Sequence, residues 1–182
     1  MNQEKEAKSL GNRLLKRRTI LLFGKLDEKK ACEIISAMLY LEDCDADASI
    51  KLFINSDGGA ETDVLAIYDV MQNLTCPVET VCVGKATGLA ALILAGGTKG
   101  YRKAYANSEI MLCQVQRDRT FGQASDIELE TEHLLQVKER VNNILAFLCG
   151  QDVQQIKNDL ERNHWLFAED AKNYGLIDLV IE

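Results

Sequence analysis

Two successive strand-turn-helix units, each turning on glycine, constrain this chain more than any other feature of its sequence. The first runs from the β-rich stretch Ile50-Lys51-Leu52-Phe53-Ile54 through Asn55-Ser56-Asp57-Gly58-Gly59 into a helix expected from about Ala60 to Asn73. Pro77, the only proline, blocks continuation of that helix, and Val78-Glu79-Thr80-Val81-Cys82-Val83 reads as the next strand. Gly84 opens the second turn, and the uncharged segment Ala86 to Gly97 reads as a wholly buried helix. Alternating strands and helices predict an α/β fold with a largely parallel sheet. Binding or chemistry is then expected at the carboxyl ends of the strands, where both glycine turns lie.

The flanking segments extend this pattern. Asp27 to Glu42 carries Ala31, Ile34, Ile35, Met38, Leu39 and Leu41 near helical spacing, with Asp27 placed to cap the start. Tyr101 to Tyr105 and Glu109 to Cys113 are strand candidates. Gly122 to Cys149 reads as one long helix with Ile127, Leu134, Val137, Val141, Ile144, Leu145 and Leu148 along a stripe, and a stripe of that length needs a neighbour to bury it. Short helices follow at Asp152 to Leu160 and Ala168 to Tyr174, the latter closed by Gly175 as a left-handed cap, before Leu176 to Ile181 ends the chain. Lys16-Arg17-Arg18 reads as a solvated strand entrance. No linker divides the 182 residues, which suits a single domain.

Several classes of function are disfavoured at once. The net charge of −7 argues against a nucleic-acid partner. The longest apolar run, Leu89 to Ala95, has seven residues, against the roughly 20 that a membrane-spanning helix needs. No apolar stretch follows a basic start, so the expected location is cytoplasmic, or the stroma of an organelle if the source bears plastids. Cysteines at 32, 44, 76, 82, 113 and 149 form no CxxC pair and read as reduced thiols, with no metal and no cofactor called for.

Beyond these patterns, particular segments resemble the ClpP family, the proteolytic subunits of the ATP-dependent Clp protease. They are Asn12-Arg13-Leu14-Leu15-Lys16-Arg17-Arg18, Phe53-Ile54-Asn55-Ser56-Asp57-Gly58-Gly59, Ala66-Ile67-Tyr68-Asp69, Ile110-Met111-Leu112-Cys113-Gln114, Gly122-Gln123-Ala124-Ser125-Asp126-Ile127-Glu128 and Tyr174-Gly175-Leu176-Ile177-Asp178. Their order and spacing cover nearly the whole chain. The resemblance implies the ClpP/crotonase-type αβ superhelix with a protruding long helix, the handle, over residues 1–182, with residues 1–11 as a flexible N-terminal segment. It also implies assembly in heptameric rings with ClpP-like subunits, either this chain itself or an active paralogue, and docking of an AAA+ ATPase cap. Phe53 and Tyr101 are candidates for the docking surface.

The same resemblance locates the family's catalytic triad, and all three positions are changed. The nucleophile motif Gly-Met-Ala-Ala-Ser-Met-Gly corresponds to Gly84-Lys85-Ala86-Thr87-Gly88-Leu89-Ala90, so Gly88 stands at the serine. Cys113 stands at the histidine base, and Asn163, after Glu161-Arg162, at the orienting aspartate. Glycine offers no nucleophile, and a neutral amide cannot stabilise an imidazolium by charge. The expectation is therefore a catalytically silent, ClpR-like subunit.

The backbone amides of Gly58 and Leu89 are the expected remnant of the oxyanion hole, since backbone donors do not depend on side-chain identity. Asp57, at the place of the family's proline, brings a carboxylate that would repel an anion there. Two alternatives stand behind this reading. One is a peptidase with an unconventional nucleophile, either Thr87 or Cys113, the latter conceivably with His164; His133 is expected on a solvated or helix-packing face. The other is a crotonase-type acyl-CoA enzyme or binder, disfavoured because the sequence shows no Glu or Asp near Gly88. The segment Val115 to Phe121 is one residue longer and more charged than the family's, which implies an altered substrate strand or ring-to-ring contact.

Overall fold

The computed structural model of the chain describes residues 10–116 and 122–182. After α1 (10–16) come β1 (Thr19–Phe23), α2 (Glu28–Cys44), β2 (Ile50–Ser56), α3 (Glu61–Asn73), β3 (Val78–Thr87) and α4 (Leu89–Ala95). The second half runs β4 (Arg102–Tyr105), β5 (Glu109–Leu112), α5 (Ala124–Cys149), α6 (Val153–Asp159), β6 (His164–Phe167), α7 (Ala168–Tyr174) and β7 (Leu179–Ile181). Residues 10 and 11 thus open a helix rather than belonging to a flexible segment; residues 1–9, and 117–121 of the charged loop, lie outside the described residues.

The sheet follows the order β1-β2-β3-β4-β7, every pair parallel, as the strand-helix alternation predicts. β3 has ten residues, long enough to serve two partners. Thr80 to Cys82 pair with β4, and Lys85 to Thr87 pair with β5. Between them its register against β2 shifts, from Ile54↔Cys82 to Ser56↔Ala86, an irregularity that re-aims the strand ends. β6 then adds to β5 as the only antiparallel pair among the described strands.

Pairing with β5 also corrects the expected helix Ala86 to Gly97. Ala86 and Thr87 remain in the sheet, and the helix is the shorter α4, whose residues Ala90 to Ala95 are all buried. β6 is a strand that sequence reasoning did not identify, and β1 follows the strand entrance read at Lys16 to Arg18. Arg18 is not a solvated entrance residue: its guanidinium donates to the carbonyls of Leu41 at 2.7 Å, Ala48 at 2.7 Å and Ser49 at 3.2 Å, tying the end of α2 to the start of β2. Asp27 caps α2 as expected, accepting from Lys30 N at 2.8 Å.

One side of the sheet carries the core, with Leu22, Leu52, Ile54, Cys82 and Ala104 inaccessible beneath the helices. α5 spans about 39 Å at 1.5 Å per residue, and its halves behave differently. Residues 124–136 are exposed apart from the half-buried Leu134, whereas Val137, Val141, Leu145 and Ala146 are buried in the chain's own core. The expectation that a neighbour buries the stripe at Leu145 is corrected: Leu145 is 3% exposed without one. Arg102, 3% exposed, anchors β4 to the carboxylate of Asp178 through contacts of 2.6 and 3.0 Å.

Candidate active site

The carboxyl ends of β2 and β3 meet at the two glycine turns. β3 ends at Thr87, and Gly88 takes φ 59° and ψ −131° before α4 begins at Leu89. That conformation is strained for any residue with a β-carbon, so glycine holds this sharp strand-to-helix elbow without cost. The Gly88 N–H donates to Met111 O at 2.9 Å, which fixes the elbow to β5. Cys113 follows directly after β5, and a β-carbon on Gly88 would sit 3.6 Å from its sulfur and 3.4 Å from the Asp57 carbonyl oxygen.

Asn163 is brought to the same place. Leu112 pairs with His164 in the antiparallel ladder, so one further step of the register sets Asn163 opposite Cys113. Gly88 and Cys113 are thus neighbours, and Asn163 stands one step beyond the last paired residues of the β5–β6 ladder. His164 does not join them. It shares the face of Leu112, which alternation turns away from Cys113, and its ring lies 5.7 Å from that of Tyr174. Burial pushes the pKa of the Cys113 thiol up, and no cation among the described residues offsets it to favour thiolate. His133 is exposed on α5.

Thr87 is 5% exposed, and its hydroxyl donates to Asp57 Oδ1 at 2.9 Å. The same oxygen lies 2.6 Å from Lys85 Nζ. Lys85 and then Thr87 hold the Asp57 carboxyl below its ordinary range, so it is a weakened proton acceptor for that hydroxyl. This network revises two expectations. A carboxylate does stand near Gly88, and its charge is offset by a lysine instead of facing the turn alone. Sequence reasoning overlooked Lys85, although Lys85 and Thr87, two apart on a strand, share a face.

The turn after β2 is built around Ser56, which is fully buried. Its hydroxyl donates to Gly24 O at 2.6 Å and accepts from Gly58 N at 3.0 Å. Gly58, with φ +81°, packs its α-carbon against the start of α4, where an added β-carbon would lie 3.2 Å from Leu89 N and 3.0 Å from Ala90 N. Gly58 and Leu89 are thus adjacent, but the Gly58 N–H is already engaged by Ser56. The expected pair of free amide donors is reduced to Leu89, at a helix start where N–H groups lack intrahelical acceptors.

A cleft of about 730 Å³ opens beside this turn, lined by Lys25, Asp27, Glu28, Asp57 and Gln116 among others, while neither Gly88 nor Cys113 lines it. Among the described residues no group of His, Cys, Asp and Glu is arranged to hold a metal ion, and no helix is long and apolar enough to cross a membrane.

Comparison with known proteins bears on this arrangement. A family model described as Clp protease matches residues 2–182. The chain is 43% identical over 170 residues to the ATP-dependent Clp protease proteolytic subunit 1 of Thermobifida fusca (strain YX), covering 93% of this chain and 77% of that protein.

Proposed function

The chain belongs to the Clp protease family, and from that premise we propose that it is a subunit of a Clp protease assembly contributing structure rather than peptide-bond cleavage. The observation that carries the proposal is the elbow. The strand-to-helix geometry that would present a nucleophile is built, yet its apex is Gly88, with the half-buried thiol of Cys113 facing the vacant β-carbon position at 3.6 Å. Acyl-enzyme formation needs a side-chain nucleophile with a base in reach, and this elbow supplies neither.

The neighbouring groups support the same reading. The Thr87 hydroxyl is spent on a low-pKa carboxylate, and Cys113 has no imidazole partner. Acyl-CoA chemistry of the crotonase type draws on two free backbone amides, and one of the pair, Gly58, is bonded to Ser56. What the chain retains is scaffold: the sheet, the exposed first half of α5, and the outer sheet face carrying Phe53 and Tyr101. Rings shared with a catalytically competent subunit, heptameric by family resemblance, and docking of an AAA+ ATPase cap on that outer face complete the proposal.

The test uses the purified chain alone and co-expressed with an active family member. Alone, it should neither hydrolyse fluorogenic peptides nor be acylated by fluorophosphonate or β-lactone probes. Together, it should co-purify in one ring particle with the active partner. Stoichiometric acylation of the chain alone would overturn the silent reading, and its mapping to Cys113 would identify a thiol enzyme.

A further inference from the structure

The face of the sheet opposite the helices is uncovered, and it is not simply apolar. Leu21, Phe23, Tyr101, Tyr105 and Leu179 stand on it, exposed between 40% and 47%. The register sets the exposed Leu21 beside the half-buried Phe53, and Phe53 beside Val81, which is itself buried at 2% exposure, an apolar row whose accessible part is Leu21 and Phe53. Beside that row lies Glu79, only 8% exposed, paired across the sheet with Lys51. Lys103 Nζ sits 2.7 Å from one Glu79 oxygen, and Lys51 Nζ 3.8 Å from the other.

A carboxylate on a largely apolar face is costly unless it is paired, and here it holds two ammonium groups at the edge of the apolar row. One negative charge against two positive ones leaves an excess cation. Among the described residues neither lysine has another acidic partner. Lys51, half exposed and the more distant of the two, is free to turn towards a second carboxylate.

We infer that this face selects a partner segment carrying a carboxylate next to a large apolar side chain, the apolar group seating on Leu21 and Phe53 and the carboxylate on Lys51 and Lys103. This rests on the proposal that the outer face docks another protein and adds charge as the criterion of choice. Lys51, Glu79 and Lys103 are then specificity-determining residues of the docking face.

Three end-blocked fluorescent peptides, identical except for Leu-Phe-Asp-Gly, Leu-Phe-Asn-Gly or Leu-Phe-Lys-Gly at their centre, separate the possibilities when titrated with the full chain by anisotropy. The aspartyl peptide should bind about tenfold more tightly than the asparaginyl one and the lysyl peptide least, with the difference fading at high salt. Lys51→Gln and Lys103→Gln should erase the preference, and Glu79→Gln should enlarge it by removing the competing carboxylate. Phe53→Ala should weaken all three peptides alike. Equal binding of the aspartyl and asparaginyl peptides, or a preference indifferent to both lysine variants, would overturn the inference while leaving the docking face in place. Failure of all three to bind would overturn the docking reading itself.

Discussion

The sulfur of Cys113 lies 3.6 Å from the position that a β-carbon on Gly88 would occupy, an ordinary packing distance with no covering group between them. The last β3–β5 pair, Thr87↔Met111, lies one residue before Gly88 and two before Cys113, so the ladder sets their approach and their side chains do not. The backbone can therefore keep an active-site shape after the reacting groups have gone.

Gly88→Ser tests that separation of shape from chemistry. The added β-carbon meets nothing closer than 3.4 Å, so it fits, but φ 59° and ψ −131° should cost about 1–3 kcal/mol of stability. Thermal unfolding should show the loss, and peptidase activity should stay at zero because Cys113 is no base. The triple change Gly88→Ser, Cys113→His, Asn163→Asp is the minimal set for hydrolysis. A single variant with a normal protease rate would refute the assignment of Cys113 to the base position.

How far such a site can be read from sequence follows from which interactions are local. The glycine turns are legible because their backbone demands are: a β-carbon on Gly59 would collide with the Leu26 carbonyl, and Gly88 is left-handed. The grouping of Gly88, Cys113 and Asn163 was reached through resemblance, since no local pattern joins them. β6 is four residues long, and its register against β5 is set by tertiary pairing. The Lys85–Asp57 pair joins residues 28 positions apart and depends on the shifted β2–β3 register. Arg18 shows the limit most clearly, because a basic cluster cannot reveal that three carbonyls from two segments will accept from one guanidinium.

Cys113 should behave as a protected thiol. Burial pushes its pKa up, whereas Cys32 and Cys44 are exposed. Alkylation by iodoacetamide at neutral pH should modify Cys32 and Cys44 first. The rate at Cys113 should keep climbing beyond the pH at which an ordinary thiol has levelled off. Preferential labelling of Cys113 at neutral pH would reveal an activated thiolate and restore the thiol-enzyme alternative.

Ser56→Ala removes the hydroxyl that serves both Gly24 O and Gly58 N. Gly24 is exposed and its carbonyl can turn to water, but the buried Gly58 N–H loses its acceptor, which should destabilise the chain by about 1–3 kcal/mol. Denaturant unfolding of the variant measures this. A change within a few tenths of a kcal/mol would show that water or another donor replaces the hydroxyl, and that the Gly58 amide is less firmly engaged than the distances imply.

Asp178 should contribute to the acid limb of stability. Burial raises its pKa, but the bonds from the Arg102 guanidinium and from the backbone N–H groups of Arg102 and Gly100 outweigh this and hold it below 3.8. A folded-state pKa below the unfolded one contributes stability at pH values above the unfolded pKa, and that stability is lost as the pH falls through the folded one. Asp178→Ala strands the buried Arg102 and should cost about 3–5 kcal/mol at neutral pH. The gap between variant and wild type should close in acid. A gap that stays constant with pH would mean that the aspartate acts by packing instead of charge.

Assembly tests which part of α5 reaches a neighbour. Leu145 is 3% exposed within the chain's own core, so Leu145→Asp buries a charge and should unfold the subunit outright. Leu129 and Leu135, exposed at 65% and 58% on the first half of the helix, contribute little to the core of their own chain. Apolar side chains of that exposure along a stretch with 12 exposed helical positions are what a protein interface covers. Leu129→Asp and Leu135→Asp should therefore leave the far-ultraviolet spectrum and melting of the subunit intact while shrinking the particle in sedimentation, with Leu145→Asp as the folding-defective control. If both exposed variants sediment as the wild type does in the presence of the active partner, this half of α5 does not carry the ring contact, and Phe147, 81% exposed near the other end, becomes the position to change next.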